Sequence, residues 1–443
     1  MNKQKQIASF LNPSDNKLIK PWFHRLTGLK DPVYFFSLLY VFFLPFFRVA
    51  PVIVLAVWIP IALFTYRWSI AGRAWAKNPV NYCLLLLYLM YLLSLFFTDN
   101  TTESLVKLEV KVSYILLPLL LAPAIDFDRA KQFNLLKAFI TGTSISIVVN
   151  LIISFIQFII KDNTAYFFYH YVTEFHHTSY YALYLSFSVF AMLYLQRYRV
   201  MRDNRILIPL IILHIVMVFM LSSKAGIIVL FLAMIIEAIS RLRRKANFKH
   251  LLIFTGGLII LVVLALFNDR VRDAFDYVQL GETAEVSETK NIREAIIHQP
   301  ENSSSSRVMV WTTCAEVIPQ HWLFGVAPGD VTDKLVESYK AHNYEGPAEK
   351  RLNCHNQFMQ TQLGLGIVAT ILLLTAFLLP FFGKQRPFKR LAAMFLVLVF
   401  ASFMFESMLE TQSGVQFILF FLVLFSYQRL NDDIYDTIFT TTN

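Results

Sequence analysis

Arg351-Leu352-Asn353-Cys354-His355-Asn356-Gln357-Phe358 closes a long polar interval, 268–357, and opens an apolar run, 358–382. The run is longer than the ~20 residues of helix that a bilayer core requires. A histidine and two asparagines therefore sit where a water-exposed segment meets the start of a membrane helix. Working outward, the rest of the chain is mostly apolar: 56% hydrophobic residues, 42 phenylalanines and a mean hydropathy of +0.53. A soluble domain has no use for that much apolar surface, whereas a polytopic membrane protein does. The polar, basic lead over 1–32 contains no short apolar segment with a small-residue cleavage site, so no cleaved signal peptide is expected.

Twelve apolar segments follow, approximately at 33–47, 52–66, 81–97, 114–125, 138–160, 180–195, 206–221, 225–239, 251–267, 358–382, 391–405 and 414–425. Several are shorter than a straight span, so the helices are expected to extend into their flanks. With the N-terminus inside, 26 of the 40 lysines and arginines fall in the inside pieces. Every short loop obeys the positive-inside bias. The net charge of +10 thus belongs to cytoplasmic loops and does not call for nucleic acid. The expected fold is an all-α polytopic membrane bundle of about 12 helices. Its parts are a cytoplasmic basic segment (1–32), helices one to nine (33–267), a helical periplasmic loop (268–357), helices ten to twelve (358–428) and a cytoplasmic tail (429–443). Within the loop, 268–280 and 331–341 have helical spacing of apolar residues. Ser303–Ser306 reads as a serine-capped start, Asp330 as the cap of the next helix, and 281–306 as mobile.

Ionisable groups near membrane depth usually line a cavity. The outward set comprises Lys107, Lys111, His176, His177, Lys224, Arg270, Arg272, Arg307, His355, Asn356, Glu406 and Glu410. Lys107 and Lys111 also suit snorkelling to the interface, and His176 and His177 suit structural roles in an aromatic belt. Lys224 breaks the charge trend in the tight turn Ser222-Ser223-Lys224-Ala225-Gly226, which favours a binding role. Glu406 and Glu410, spaced i and i+4, read as one helical face pairing with Arg307 or Lys224. A neutral His355 at a helix start can take a proton near neutral pH, and the same helix end favours an anion. One histidine among cations, without a carboxylate cluster, points to transfer from a phosphate-bearing donor and away from a hydrolytic metal site. The cysteines, Cys83, Cys314 and Cys354, make no disulfide framework or CxxC signature. An oxidising compartment would let Cys314 and Cys354 pair; the alternative is that Cys354 packs as a small buried residue and Cys314 lies on the apolar face of the loop helix.

The segments Ser222-Ser223-Lys224-Ala225-Gly226, Arg307-Val308-Met309-Val310-Trp311, Leu323-Phe324-Gly325-Val326-Ala327-Pro328-Gly329 and His355-Asn356-Gln357-Phe358, the last followed by Gly364 and Gly366, resemble those of the O-antigen ligase family. That resemblance implies a bacterial inner-membrane glycosyltransferase acting at the periplasmic face without ATP, metal or other cofactor. Its donor would be a glycan on undecaprenyl diphosphate, and its acceptor lipid A–core or another glycan. It assigns the catalytic base to His355 and donor contacts to Lys224 and Arg307, with a looser match at Arg270 and Arg272; the outward polar set adds Lys111, Asn356 and Glu410 as further substrate-binding candidates. Lys224 stands where the family usually has arginine, which keeps the charge but loses the bidentate fork. The alternatives are an O-antigen or exopolysaccharide polymerase, a protein O-glycan transferase and a polysaccharide transporter. A transporter calls for inverted repeats and charges at mid-span, and the sequence has neither. The charge pattern predicts that a phosphatase active only in the periplasm, fused at Asn443, is silent; activity there would reverse the topology.

Overall fold

The computed structural model describes residues 31–242, 303–382 and 388–430. The expected ninth segment, the expected helix at 268–280, most of the stretch expected to be mobile, and Arg270 and Arg272 lie outside the described residues. Among the described residues the chain is helical, with no strand. The helices are α1 (Pro32–Phe43), α2 (Ala50–Thr65), α3 (Trp68–Ala76), α4 (Pro79–Ser94), α5 (Thr101–Lys111), α6 (Ser113–Leu120), α7 (Arg129–Lys161), α8 (Thr178–Arg197), α9 (Asn204–Met220) and α10 (Lys224–Leu242). After the gap come α11 (Ser303–Val317), α12 (Val331–Ala341), α13 (Glu345–Glu349), α14 (Gln357–Leu378), α15 (Lys389–Phe403) and α16 (Gln412–Leu430). Among the described residues, three helices are long and apolar enough to cross a membrane: α7, α8, and α14 with its 3-10 extension to Phe381.

Local chemistry punctuates these apolar runs. Asp31, Asn78, Asn100, Asp128 and Asn356 each accept a backbone N–H of the following turn, and Pro32 and Pro79 occupy the first turns of α1 and α4. Such caps satisfy donors that apolar surroundings would leave unmet. Helix α8 is the axis of the bundle, buried along nearly its whole length. Phe187 on α8 meets Phe421 of α16 at 4.6 Å between ring centroids, Phe395 of α15 at 5.2 Å and Phe139 of α7 at 5.7 Å. Lipid tails are as apolar as these rings, so close packing and edge-to-face geometry hold the helices together more than solvent exclusion does.

Helices α11 to α13 form a cap with its own core, built from Val310, Cys314, Val331, Leu335, Tyr339, Cys354 and Leu363 among others. Cys314 and Cys354 are fully buried there as free thiols, the packed alternative of the sequence reading. Asp330 precedes α12, but its side chain makes no cap bond. It accepts instead from Thr98 Oγ1 and from the backbone N–H groups of Asp99 and Asn100, at 2.7–3.0 Å, and so ties the cap to the start of α5.

Helix α14 is broken at Gly366 (φ 78°, ψ −172°). The freed backbone groups are met by the loop that follows α11. Val326 N–H donates to Leu363 O, Ala327 N–H to Gly364 O, and Ile367 N–H to Trp322 O, at 2.8–3.1 Å. A Cβ on Gly366 would run into the Leu323 carbonyl. Its backbone region is essentially restricted to glycine, and a side chain there costs about 1–3 kcal/mol. Gly366→Ala is therefore expected to lower the thermal unfolding midpoint in detergent. Gly364→Ala, whose Cβ would meet Val331 at an ordinary 3.4 Å, leaves it nearly unchanged. Equal midpoints for the two variants would contradict the reading of the break.

Candidate functional site

A cavity of about 310 Å³ lies where the cap meets the ends of the long helices. His177, Thr178 and Ser179 come from the start of α8; Ser222, Ser223, Lys224 and Ala225 from the α9–α10 junction; Ser306 and Arg307 from near the start of α11. Lys350, Leu352 and His355 come from the segment leading into α14, Glu406 from the turn after α15, and Tyr169 from the turn before α8. Three helices thus direct their N-terminal ends to one cavity. The first N–H groups of a helix and the positive end of its dipole favour an anion there. Lys224, Arg307 and Lys350 add side-chain cations to the same wall.

The turns that deliver these groups are tightly specified. Ser222 takes a left-handed conformation (φ 47°), and the Ser223 hydroxyl accepts Gly226 N–H at 3.2 Å, which starts α10 with Lys224 in its first turn. His355 is also left-handed (φ 42°) and donates its N–H to Asn353 Oδ1 at 2.9 Å. The next residue, Asn356, caps α14 by accepting the N–H groups of Phe358 and Met359 at 2.9 and 3.1 Å. Left-handed non-glycine residues are uncommon and strained, and persist where surrounding bonds over-determine them.

His355 Nδ1 lies 3.2 Å from Glu406 Oε1. Burial pushes the Glu406 carboxyl up, but the hydrogen bond with His355 and the positive groups around it, the Arg307 guanidinium among them, outweigh it and hold the group below the usual carboxylate range. Glu406 is therefore an anion at neutral pH. Burial holds His177 below the usual imidazole range, against the pull of Glu406, and keeps it neutral.

The structure brings Lys224, Arg307 and His355 to one cavity. Lys111 and Glu410 lie outside its wall and meet each other. Lys111 is fully buried, donates to Leu409 O and to Glu410 Oε1 (2.9 Å), and lies 5.1 Å from the Tyr91 ring. Lys107 joins Glu410 at 3.4 Å and does not simply snorkel. Asn356 serves as a cap and donates to Met404 O at 3.4 Å. The expectation that Glu406 and Glu410 share a helical face is corrected: α15 ends at Phe403, and a 3-10 turn, Met408–Glu410, sends the two carboxylates to separate partners. The two histidines also separate. His177 lines the cavity, whereas His176 is buried with Nδ1 2.9 Å from Ser413 Oγ. Sequence reasoning did not single out Lys350 or Tyr169. Lys350 sits in a stretch without periodicity and carries no signal beyond its charge; the approach of His177 was marked only by the helix start that follows it.

Residues 209–374 match the family described as O-antigen ligase. No curated protein matches the chain. The matched stretch carries Lys224, Arg307 and His355, and Glu406 lies beyond it. Residues 209–374 are thus similar to the O-antigen ligase family, and the long apolar helices accord with a membrane protein.

Proposed function

We propose that this protein transfers a glycan from undecaprenyl diphosphate to a hydroxyl of lipid A–core, as an O-antigen ligase of the bacterial inner membrane. The observation that carries the reading is the convergence of Lys224, Arg307 and His355 on one cavity to which three helices present their N-terminal ends. Such a cavity suits a diphosphate leaving group. The acceptor oxygen attacks the anomeric carbon of the donor sugar, forming the new glycosidic bond. The bond from that carbon to the phosphate oxygen breaks, and its electron pair leaves with the diphosphate. His355 takes the proton of the acceptor hydroxyl. The cations and helix ends hold the departing charge, and no metal or ATP enters the step. In this reading the bundle has twelve spans, both termini are cytoplasmic, and the cavity faces the periplasm.

Deletion separates this reading from a polymerase that shares donor and base. Mass analysis of lipopolysaccharide is expected to show uncapped core together with accumulated lipid-linked polymer; a core bearing one repeat identifies a polymerase. His355→Ala is expected to reproduce the deletion, since a positioned base contributes roughly 10²–10⁴-fold. Unchanged transfer with the variant still in the membrane removes His355 as the base. Lys224→Ala and Arg307→Ala each lose a charge-assisted contact of about 1.5–3 kcal/mol, so donor use is expected to weaken by roughly 10- to 100-fold. Lys224→Arg is expected to retain activity because the charge is kept. A Lys224→Ala variant with full turnover makes that cation merely interfacial.

A further inference from the structure

Glu406 lies outside the stretch that matches the family, and the spacing of the sequence placed it elsewhere, yet its carboxylate meets the His355 ring. The turn that holds it is stitched to the His355 turn at several points. Leu409 N–H donates to Gln357 Oε1 at 2.6 Å, Asn356 Nδ2 donates to Met404 O at 3.4 Å, and Ser407 Oγ reaches Asn353 Oδ1 at 3.5 Å. These contacts flank the pair on both sides, so the 3.2 Å approach of Glu406 Oε1 to His355 Nδ1 is built into the backbone. The Glu406 side chain is 8% exposed and the His355 side chain 23%. The carboxylate is thus shielded while the ring keeps one edge toward the cavity. His177 and Arg307 act on the pair, and among the described residues lining the cavity Glu406 is the one carboxylate.

We infer that Glu406 is the positioning residue for His355: it accepts the Nδ1–H, fixes the ring and its tautomer, and leaves Nε2 as the atom that accepts a proton. The inference rests on His355 being the base of the proposed transfer. A carboxylate on one ring nitrogen determines which form of a neutral imidazole is present and stabilises the imidazolium formed when the other nitrogen takes a proton. A free imidazole has no such constraint. The proton released by the acceptor hydroxyl therefore moves to Nε2, and Glu406 stays ionised throughout.

Solid-state nitrogen NMR of the full chain in lipid, with ¹⁵N-labelled histidine at mildly alkaline pH, reads the tautomer directly. The His355 resonance is assigned as the one missing from His355→Gln. The expected result is a protonated, hydrogen-bonded Nδ1 and an unprotonated Nε2 in the unsubstituted chain, with the preference lost in Glu406→Ala. A protonated Nε2 in the unsubstituted chain, or an unchanged spectrum in Glu406→Ala, overturns the inference. Glycan transfer by membranes supplies a second readout. Glu406→Ala is expected to lower turnover by roughly 100-fold or more with little change in donor KM. The double variant with His355→Ala is expected to be no worse than His355→Ala alone, because the two residues act as a unit. Independent, multiplicative losses would give Glu406 a separate structural role and overturn the inference. Full transfer by His355→Ala would instead overturn the proposed base, and the NMR result would still decide what Glu406 holds.

Discussion

A carboxylate carried into an apolar bundle must be met by charge or hydrogen bonds, or it will not stay ionised. The turn between α15 and α16 carries two, Glu406 and Glu410, and much of the architecture answers to them. Glu410 draws in Lys111 and Lys107, binding α5 to that turn and burying Lys111 against Tyr91 and Tyr114. Glu406 draws in His355 and with it the start of α14. One short turn thereby holds a structural ion cluster on one side and the imidazole of the candidate site on the other. Truncating Glu410 is a large perturbation in such a place, because Lys111 is left buried without its counter-charge.

A second constraint is that backbone groups inside the bundle must find partners. The break at Gly366 releases groups of α14, and the 322–327 loop takes them up through backbone hydrogen bonds. The cap is therefore attached to α14 by the chain itself and to α5 through Asp330. These two attachments set where Arg307 and Lys350 stand relative to Lys224 and His177. The cavity is a consequence of how the cap is fastened, and its cations come from both sides of the join.

The alternation of apolar and polar segments, the cationic bias of the short loops and the placement of His355 before an apolar helix were legible without coordinates, because each is a local property of composition. Lys224 stood out because a cation in a tight outward turn goes against the charge trend, and Arg307 because it follows a serine run that reads as a helix start. Where local rules govern, as at the start of α14 or the α12 boundaries, the reading and the structure coincide. The twelve-span topology also rests on such local patterns; among the described residues, three helices are long and apolar enough to cross a membrane by themselves.

Tertiary structure decided what depends on pairs distant in the chain. The i, i+4 spacing of Glu406 and Glu410 implies one face only if the helix continues, and α15 stops at Phe403, so the rule had no helix to act on. Whether His176 or His177 meets the cavity turns on the entry angle into α8, and whether Lys350 reaches it turns on how the cap is fastened. Neither leaves a mark in a pattern of neighbours. The sequence by itself determined which residues carry charge at the ends of apolar helices. Only the folded chain decided which of those charges meet, because their contacts span tens to hundreds of residues and follow from the packing of helices whose order in space no periodicity records.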